Sequence, residues 1–538
     1  MALEELAERF WTWRTANQPD SYDDITRVIR PLGWTADWSP ESVAQRRAVA
    51  AAFADEYAAL DLSTQPVHLQ VNGRLLGSAV ARARWELELV RGWARDPRFY
   101  LDQSLVPIFN LLLEPPPFDE ARAAAIVAHL RRVPAILAQA RANLAATAAK
   151  AFATYAVRVL DGLATDLDTA MAALQPYLPA EPATELAAAT APAAEAVADY
   201  RHWLQTAMAT FVAPAAVGAD AFGYFLHRVA LLPYGAAQLR TMAAQEWNRA
   251  VATEAALQLR TPAAPPLPSD LADFLAGAER DELAVRRFYV EHGLLSQPDD
   301  LRHYRFAALP PYLVPLHRLG VTHYAADEGR RHHDAVHYVP ALGTDDSYFR
   351  RAEMGDPRAS IVHEGVHAQQ LALGWAHPDP VRRRYYDSTP MEGLAFYNEE
   401  LMLVSGLFDG APAAAEFVAN AMRLRALRVE VDVALGIGEQ TLDEAADTLA
   451  DMVPMDRGTA EQEAPFFAGN PGQGSSYQIG KLQILDLIAA ARLRPGFDLQ
   501  PLHDRLWREG NVPLVLQRWE VLGSRDQLDE ADRLAADF

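Results

Sequence analysis

"FDEARAAAIVAHLRRVPAILAQARANLAATAAKAFATYAVRVLDGLATDL", residues 118–167, decides the fold class. Its apolar side chains return at three- and four-residue intervals, the spacing that stacks them along one face of an α-helix. Alanine, leucine, arginine and glutamate dominate it, and these are strong helix formers. One interruption is expected near Pro134, because proline lacks the N–H that the helical ladder needs. Working outward, helical runs recur around 184–211, while period-two alternation is scarce. The clearest strand pattern is "HHDAVHYVPAL" (332–342). The fold class is mainly α with a small β element.

Two segments look like breaks. "QPYLPAEPATELAAATAPAAEA" (175–196) is rich in Pro and Ala, and "LRTPAAPPLPSD" (259–270) reads as an extended connector. The second separates an N-terminal helical region, 1–270, from a C-terminal region, 271–538; both are read as parts of one continuous unit. The chain has 538 residues and no cysteine, which removes disulfides, Cys-zinc sites, iron–sulfur clusters and thiol nucleophiles. A formal charge of −22 argues against nucleic-acid binding, which needs a basic face. The first residues, "MALEELAERFWTWRTANQPD", lack the apolar core of a secretory signal, and no stretch approaches the ~18–20 apolar residues of a membrane span. A cytoplasmic location without membrane contact is the expectation.

"SIVHEGVHAQQ" (360–370) carries the chemistry. In a helix His363 and His367 share one face a turn apart, so both imidazoles can reach one ion. Glu364 lies ~100° around from His363 and need not be a ligand. It is placed to hold a water and accept its proton, the logic of the H-E-x-x-H pattern, with zinc lowering the pKa of water toward neutrality. A catalytic site needs a third ligand, and "STPMEGLAFYNEELML" (388–403) offers Glu392. A helix capped by Ser388 or Thr389 puts Glu392 in its first turn on an otherwise apolar face, where a carboxylate wants a cation. Glu399 and Glu400 are read as a solvated helix face, with Glu399 as the alternative ligand or a group that holds one.

These motifs resemble the zinc metallopeptidases with H-E-x-x-H plus Glu, called gluzincins, and the His367-to-Glu392 gap resembles that of the thimet-oligopeptidase type. More closely, "HEGVHAQQ", "MEGLAFYNEE" and "NPGQGSSYQIGKLQIL" (470–485) resemble, in order, the motifs of the bacterial family DUF885, and "RRVPAILAQARANL" (131–144) resembles its N-terminal half. The resemblance implies a large helical body with a deep cleft and the metal at its floor. Three departures point to an altered substrate. His367-Ala368-Gln369-Gln370 replaces a Pro-Gly-His-His pattern, Leu394 replaces a Trp, and Gly436 stands where a His is usual after Arg428 and Asp432.

Within "NPGQGSSYQIGKL", Tyr477 follows a glycine-punctuated turn and is the candidate to assist the oxyanion of a hydrolytic intermediate; Gln473 of the same turn and Tyr397 beside Glu392 are candidate substrate contacts. Arg350, Arg351 and Arg358, just before the metal helix, can pair with a substrate carboxylate. His332, His333 and His337 read as surface residues. The expected function is a zinc hydrolase, one ion per chain (with Fe²⁺ or Mn²⁺ as alternatives), cleaving a peptide or amide bond in a short substrate. Two His and one carboxylate also suit a non-haem Fe(II) oxygenase, and a non-catalytic peptide-binding scaffold is the third alternative.

Overall fold

The computed structural model describes residues 2–538 apart from 21–28, 32, 261–266, 326, 328, 344–346 and 454. Helices dominate the described residues, as the periodicity predicts. The decisive stretch forms a helix, Glu120–Leu144, whose cap Asp119 accepts from the Arg122 N–H. It runs straight through Pro134. The expected break there is corrected: one proline costs a helix about 3 kcal/mol, whereas Ile126, Val127, Leu130, Val133, Ile136 and Leu137 form a buried stripe across it, each contributing ~1.5–3 kcal/mol. The chain turns instead after Leu144 and again at Gly162, whose φ of +74° suits glycine.

The break expected over 175–196 is corrected in the same way. Only the short turn Gln175–Tyr177 interrupts, and the helix Ala180–Ala207 follows. Pro182 sits in its first turn, where the missing N–H costs nothing, and Pro192 is exposed on a helix whose other face packs on Glu120–Leu144. The core of the proposed connector, 261–266, lies outside the described residues; the helices Ala236–Gln258 and Leu271–Glu291 flank it. Residues from before and after it share buried clusters. Phe222 and Phe225 pack with Val429, Val433 and Ile479, and Phe10 and Val71 with Tyr385, Val515 and Trp519.

The expected strand forms the middle of a small sheet: β1 (Tyr304–Ala308), β2 (His323–Tyr324) and β3 (Ala335–Val339), in the order β1-β3-β2. β1 runs parallel and β2 antiparallel to β3, and the register sets both Phe306 and His323 opposite His337. Four helices then frame the site: Arg358–Trp375 (the metal helix), Ser388–Val404 (the acid helix), Pro412–Ile437 (the arginine helix) and Gln473–Arg492 (the tyrosine helix). The acid and tyrosine helices cross at two glycines. A Cβ on Gly480 would lie 2.1 Å from the Thr389 carbonyl oxygen, and one on Gly393 would lie 2.5 Å from Gly480 Cα. Only glycine permits this approach, which carries Glu392 and Tyr477 toward one cleft. Among the described residues, no helix is long and apolar enough to cross a membrane.

Candidate metal centre

The metal helix buries Ile361, Val362, Val366 and Leu371 around its two histidines. Asn398 of the acid helix donates to the Val362 carbonyl at 2.8 Å, which fixes the register of the two helices. The acid helix is capped one residue earlier than the sequence suggests, by Asp387, whose side chain accepts from the Thr389 N–H. Glu392 Oε2 then stands 3.5 Å from His363 Nε2 and 3.2 Å from His367 Nε2. One donor atom from each of the three residues lies within 4.8 Å of the others, all buried. His367 Nε2 and Glu392 Oε2 make no hydrogen bond. Such orphaned buried atoms are costly, and a divalent cation between two imidazoles and a carboxylate satisfies them. The donor set therefore fits a metal.

The backs of both ligand rings are held. His363 Nδ1 is 2.6 Å from Glu399 Oε1, and His367 Nδ1 is 3.4 Å from Gln370 Oε1. This leaves each Nε2 facing inward, the usual way a carboxylate or amide fixes a ligand tautomer. Glu399 is thus not on a solvated face: it is buried and also accepts from Arg425 Nη2 at 3.2 Å. Glu400 is likewise no free surface acid, since it pairs with Lys481 Nζ at 2.8 Å and Arg249 Nη1 at 2.6 Å. Burial opposes charge on His363, yet Glu392 and Glu399 outweigh it and push its pKa up to about 10. Glu392 moves the other way: burial raises it, but His367 and His363 hold it well below the usual carboxylate range. Carboxylates that hold a proton on an imidazole also attract a cation in its place.

The centre opens on a cleft of about 590 Å³ lined by His323, His337, Arg350, His363, Glu364, Arg425, Tyr477 and others. Its described lining residues fall between Leu309 and Tyr477, whereas the N-terminal helices wall a neighbouring cavity that shares Phe466 with it. Glu364 faces the cleft, with Oε2 3.4 Å from His323 Nδ1. Burial pushes the Glu364 carboxyl up, but His323, then His363 and His367, outweigh it and keep it ionised. His323 escaped the sequence reading: a single His in a two-residue strand has no periodic signal, and the sheet alone brings it to the site. His337 corrects the surface assignment. It is buried at the centre of β3, bonded to Glu353 through Nε2 at 2.9 Å and to Tyr304 through Nδ1 at 2.9 Å, with its ring 4.1 Å from that of His323. His332 and His333 are exposed, as expected.

Tyr477 reaches the cleft through a chain of backbone contacts. Asp432 on the arginine helix accepts from the Gly472 N–H at 2.9 Å and the Ser475 N–H at 2.8 Å, pinning the turn. Gly472 has φ +97°, and a Cβ there would lie 2.0 Å from the Phe225 ring. The Tyr477 ring then lies nearly parallel to His363, 6.1 Å between centroids and 17° between planes. Gly436 is close-packed: a Cβ would lie 2.8 Å from the Phe222 ring, so no histidine fits there without repacking.

The other candidate contacts fare differently. Arg350 lines the cleft, but its guanidinium is bound to Glu353 and to the Pro340 carbonyl. Arg351 is exposed, and Arg358 is held by Asp356 and the Leu407 carbonyl. Tyr397 is buried in the core, its hydroxyl 2.9 Å from His503 Nε2, because its position on the acid helix turns it away from Glu392. Gln473 lines the neighbouring cavity instead of the metal cleft.

The pattern of the family described as "Bacterial protein of unknown function (DUF885)" matches residues 33–521. The chain belongs to the DUF885 family. No curated protein matches it. Two solved structures share the fold. One is described as a "putative lipoprotein of unknown function from Shewanella oneidensis", with TM-score 0.69 and 15% identity over 97% of this chain and 99% of that one. The other is described as "the putative lipoprotein from Colwellia psychrerythraea", with TM-score 0.73 and 15% identity over 100% of both chains. The expectation of a cytoplasmic location is not borne out: both of these solved structures are described as putative lipoproteins.

Proposed function

We propose that this DUF885 protein is a metal-dependent hydrolase, resembling the gluzincins, that cleaves a peptide or amide bond in a short substrate with one zinc ion per chain. One observation carries the reading: His363, His367 and Glu392 converge, with two of their donor atoms orphaned, directly beside an ionised Glu364 in an open cleft. A bound divalent cation supplies a Lewis acid that polarises a carbonyl and makes water acidic. The chain's residues supply the rest. Glu364 accepts the proton of the attacking water and delivers it to the leaving amine. His323, against Glu364 Oε2, orients that carboxylate. Glu399 and Gln370 hold the ligand rings, and Tyr477, on the cleft wall, donates to the developing oxyanion. An Fe(II) oxygenase shares the ligand set but has no use for a base at Glu364, which favours hydrolysis.

The test combines metal analysis of the purified protein with a mass-spectrometric screen of short peptides, with and without chelator. The expected result is one divalent metal per chain, lost in His367→Ala, and chelator-sensitive cleavage. Full metal occupancy in His367→Ala overturns the ligand assignment; metal without cleavage, accompanied by oxygen consumption, overturns the hydrolase reading.

A further inference from the structure

One large apolar ring in the cleft is left uncovered. Phe349, near the start of the helix Tyr348–Gly355, lines the cleft with 38% of its surface exposed. Phe417 and Phe466 line it as well and are half-buried, so the exposed ring belongs to an apolar patch inside a polar site, the composition of a ligand pocket. Two cations pack on the ring. The guanidinium carbons of Arg425 and Arg428 lie 5.8 and 5.7 Å from its centre, and the same two lie 5.7 and 4.8 Å from that of Tyr477. Tyr477 in turn is 6.1 Å from the ring of His363. These shared contacts keep Phe349 within reach of a short extended peptide over the metal centre, at about 3.3 Å per residue.

Charge decides what can cover the exposed part. The three arginines that line the cleft each carry an acid: Arg350 with Glu353, Arg425 with Glu399, and Arg428 with Glu463. All six side chains are buried. An acidic or basic substrate side chain would have to break one of these pairs or stay unpaired beside them, and either is costly. A neutral apolar side chain need only displace water from the ring, which is favourable. We propose that Phe349 forms a subsite for a bulky apolar side chain of the substrate, aromatic or branched aliphatic, so that the cleft selects short peptides by one such residue near the scissile bond. The proposal rests on the hydrolase reading for that bond, and on the exposed ring among paired arginines for the selectivity.

The test is equilibrium binding of the peptides N-acetyl-alanyl-X-alanyl amide, with X as Phe, Leu, Ala, Glu or Lys, to zinc-loaded Glu364→Gln protein, which does not consume them. A single bulky residue between alanines lets the peptide slide until that residue meets the ring. The Phe and Leu peptides are expected to bind at least about tenfold more tightly than the Ala peptide, and the Glu and Lys peptides no more tightly than it. Adding Phe349→Ala should bring the Phe peptide to within about threefold of the Ala peptide, with affinity for the Ala peptide and metal content unchanged. Phe349→Leu, which keeps an apolar surface, should retain part of the preference, and it carries the test if Phe349→Ala does not fold. Equal affinity for the Phe and Ala peptides, tighter binding of the Glu or Lys peptide, a preference that survives Phe349→Ala, or no binding of the Phe peptide at about 10 mM overturns the subsite. A wild-type dimer that Phe349→Ala turns into a monomer also overturns it, because a second copy of the chain then covers the ring. The two readings fail separately. A preference for the Phe peptide in a protein that cleaves no peptide keeps the subsite and sinks the hydrolase. Cleavage of the Phe and Ala peptides by the wild type with equal kcat/KM does the reverse.

Discussion

Glu392 is buried in the metal centre and Asp102 is largely buried in the neighbouring cavity, yet their protons behave in opposite ways. Glu392, Glu399 and Glu364 are held below the ordinary range despite burial, because imidazoles and the Arg425 guanidinium face them. In the neighbouring cavity, burial raises Asp102 to about 7 against the pull of Arg98, with Asp96 and Asp20 adding to the rise. Asp96 itself rises to about 6 through burial that the N–H and guanidinium of Arg98 only partly offset. The difference lies in the partners and not in residue type or depth. Carboxylates interleaved with imidazoles make a nest for a cation; carboxylates crowded on each other keep their protons.

Breaking the comparison at Glu364 should have the largest effect. Glu364→Gln still hydrogen-bonds water but cannot take its proton, so turnover of a cleaved peptide should fall by ~10²–10⁴ while metal content is unchanged. Normal turnover in that variant removes Glu364 from the mechanism. Tyr477→Phe comes next. If its hydroxyl meets charge only as the oxyanion forms, kcat falls by about 10²–10³ with KM nearly constant; a wild-type kcat returns Tyr477 to simple packing against His363. Glu399→Gln should act on the metal instead of the chemistry. Loss of the charge behind His363 Nδ1 weakens metal affinity by about 10–100-fold, which a competition titration against a chelator would read. Unchanged affinity would make the Glu399–His363 contact ornamental.

Much of the site was legible because it obeys a helical period. His363 and His367 are four apart, Glu392 follows the first turn of a capped helix, and the turn glycines before Tyr477 announce a helix start. What the sequence could not convey depended on other elements. Glu399 and Glu400 look like a solvated pair on their own helix; Arg425, Lys481 and Arg249, from three other helices, bury and pair them. His323 is placed by a strand of two residues, which leaves no local pattern. The proline misreadings run the other way. At Pro134 and Pro192 the local signal was correct, and long buried faces overrode it.

A stability test sharpens the comparison from the acid side. Asp102 rises from 3.8 to about 7 in the fold. Below about pH 4 it is neutral in both folded and unfolded chains and costs nothing. Between about pH 4 and 7 the unfolded chain ionises while the folded one holds its proton, so stability falls as pH rises; above about 7 both are ionised and the loss is constant. Asp102→Asn removes the titration. It should match wild type below about pH 4 and be more stable at pH 8 by on the order of 4 kcal/mol, since the rise from 3.8 to about 7 already includes the pull of Arg98 and each tenfold change in proton affinity is worth about 1.4 kcal/mol. In a chain of 538 residues that is a rise in Tm of only about 4 °C. The Arg98 Nε–Asp102 Oδ1 distance of 3.7 Å sets the competing contribution, because an amide cannot replace that ion pair. If Asp102→Asn is less stable than wild type at pH 8, the Arg98 pair outweighs burial. The two cavities would then differ in how many cations they hold, and not in whether their carboxylates are paired.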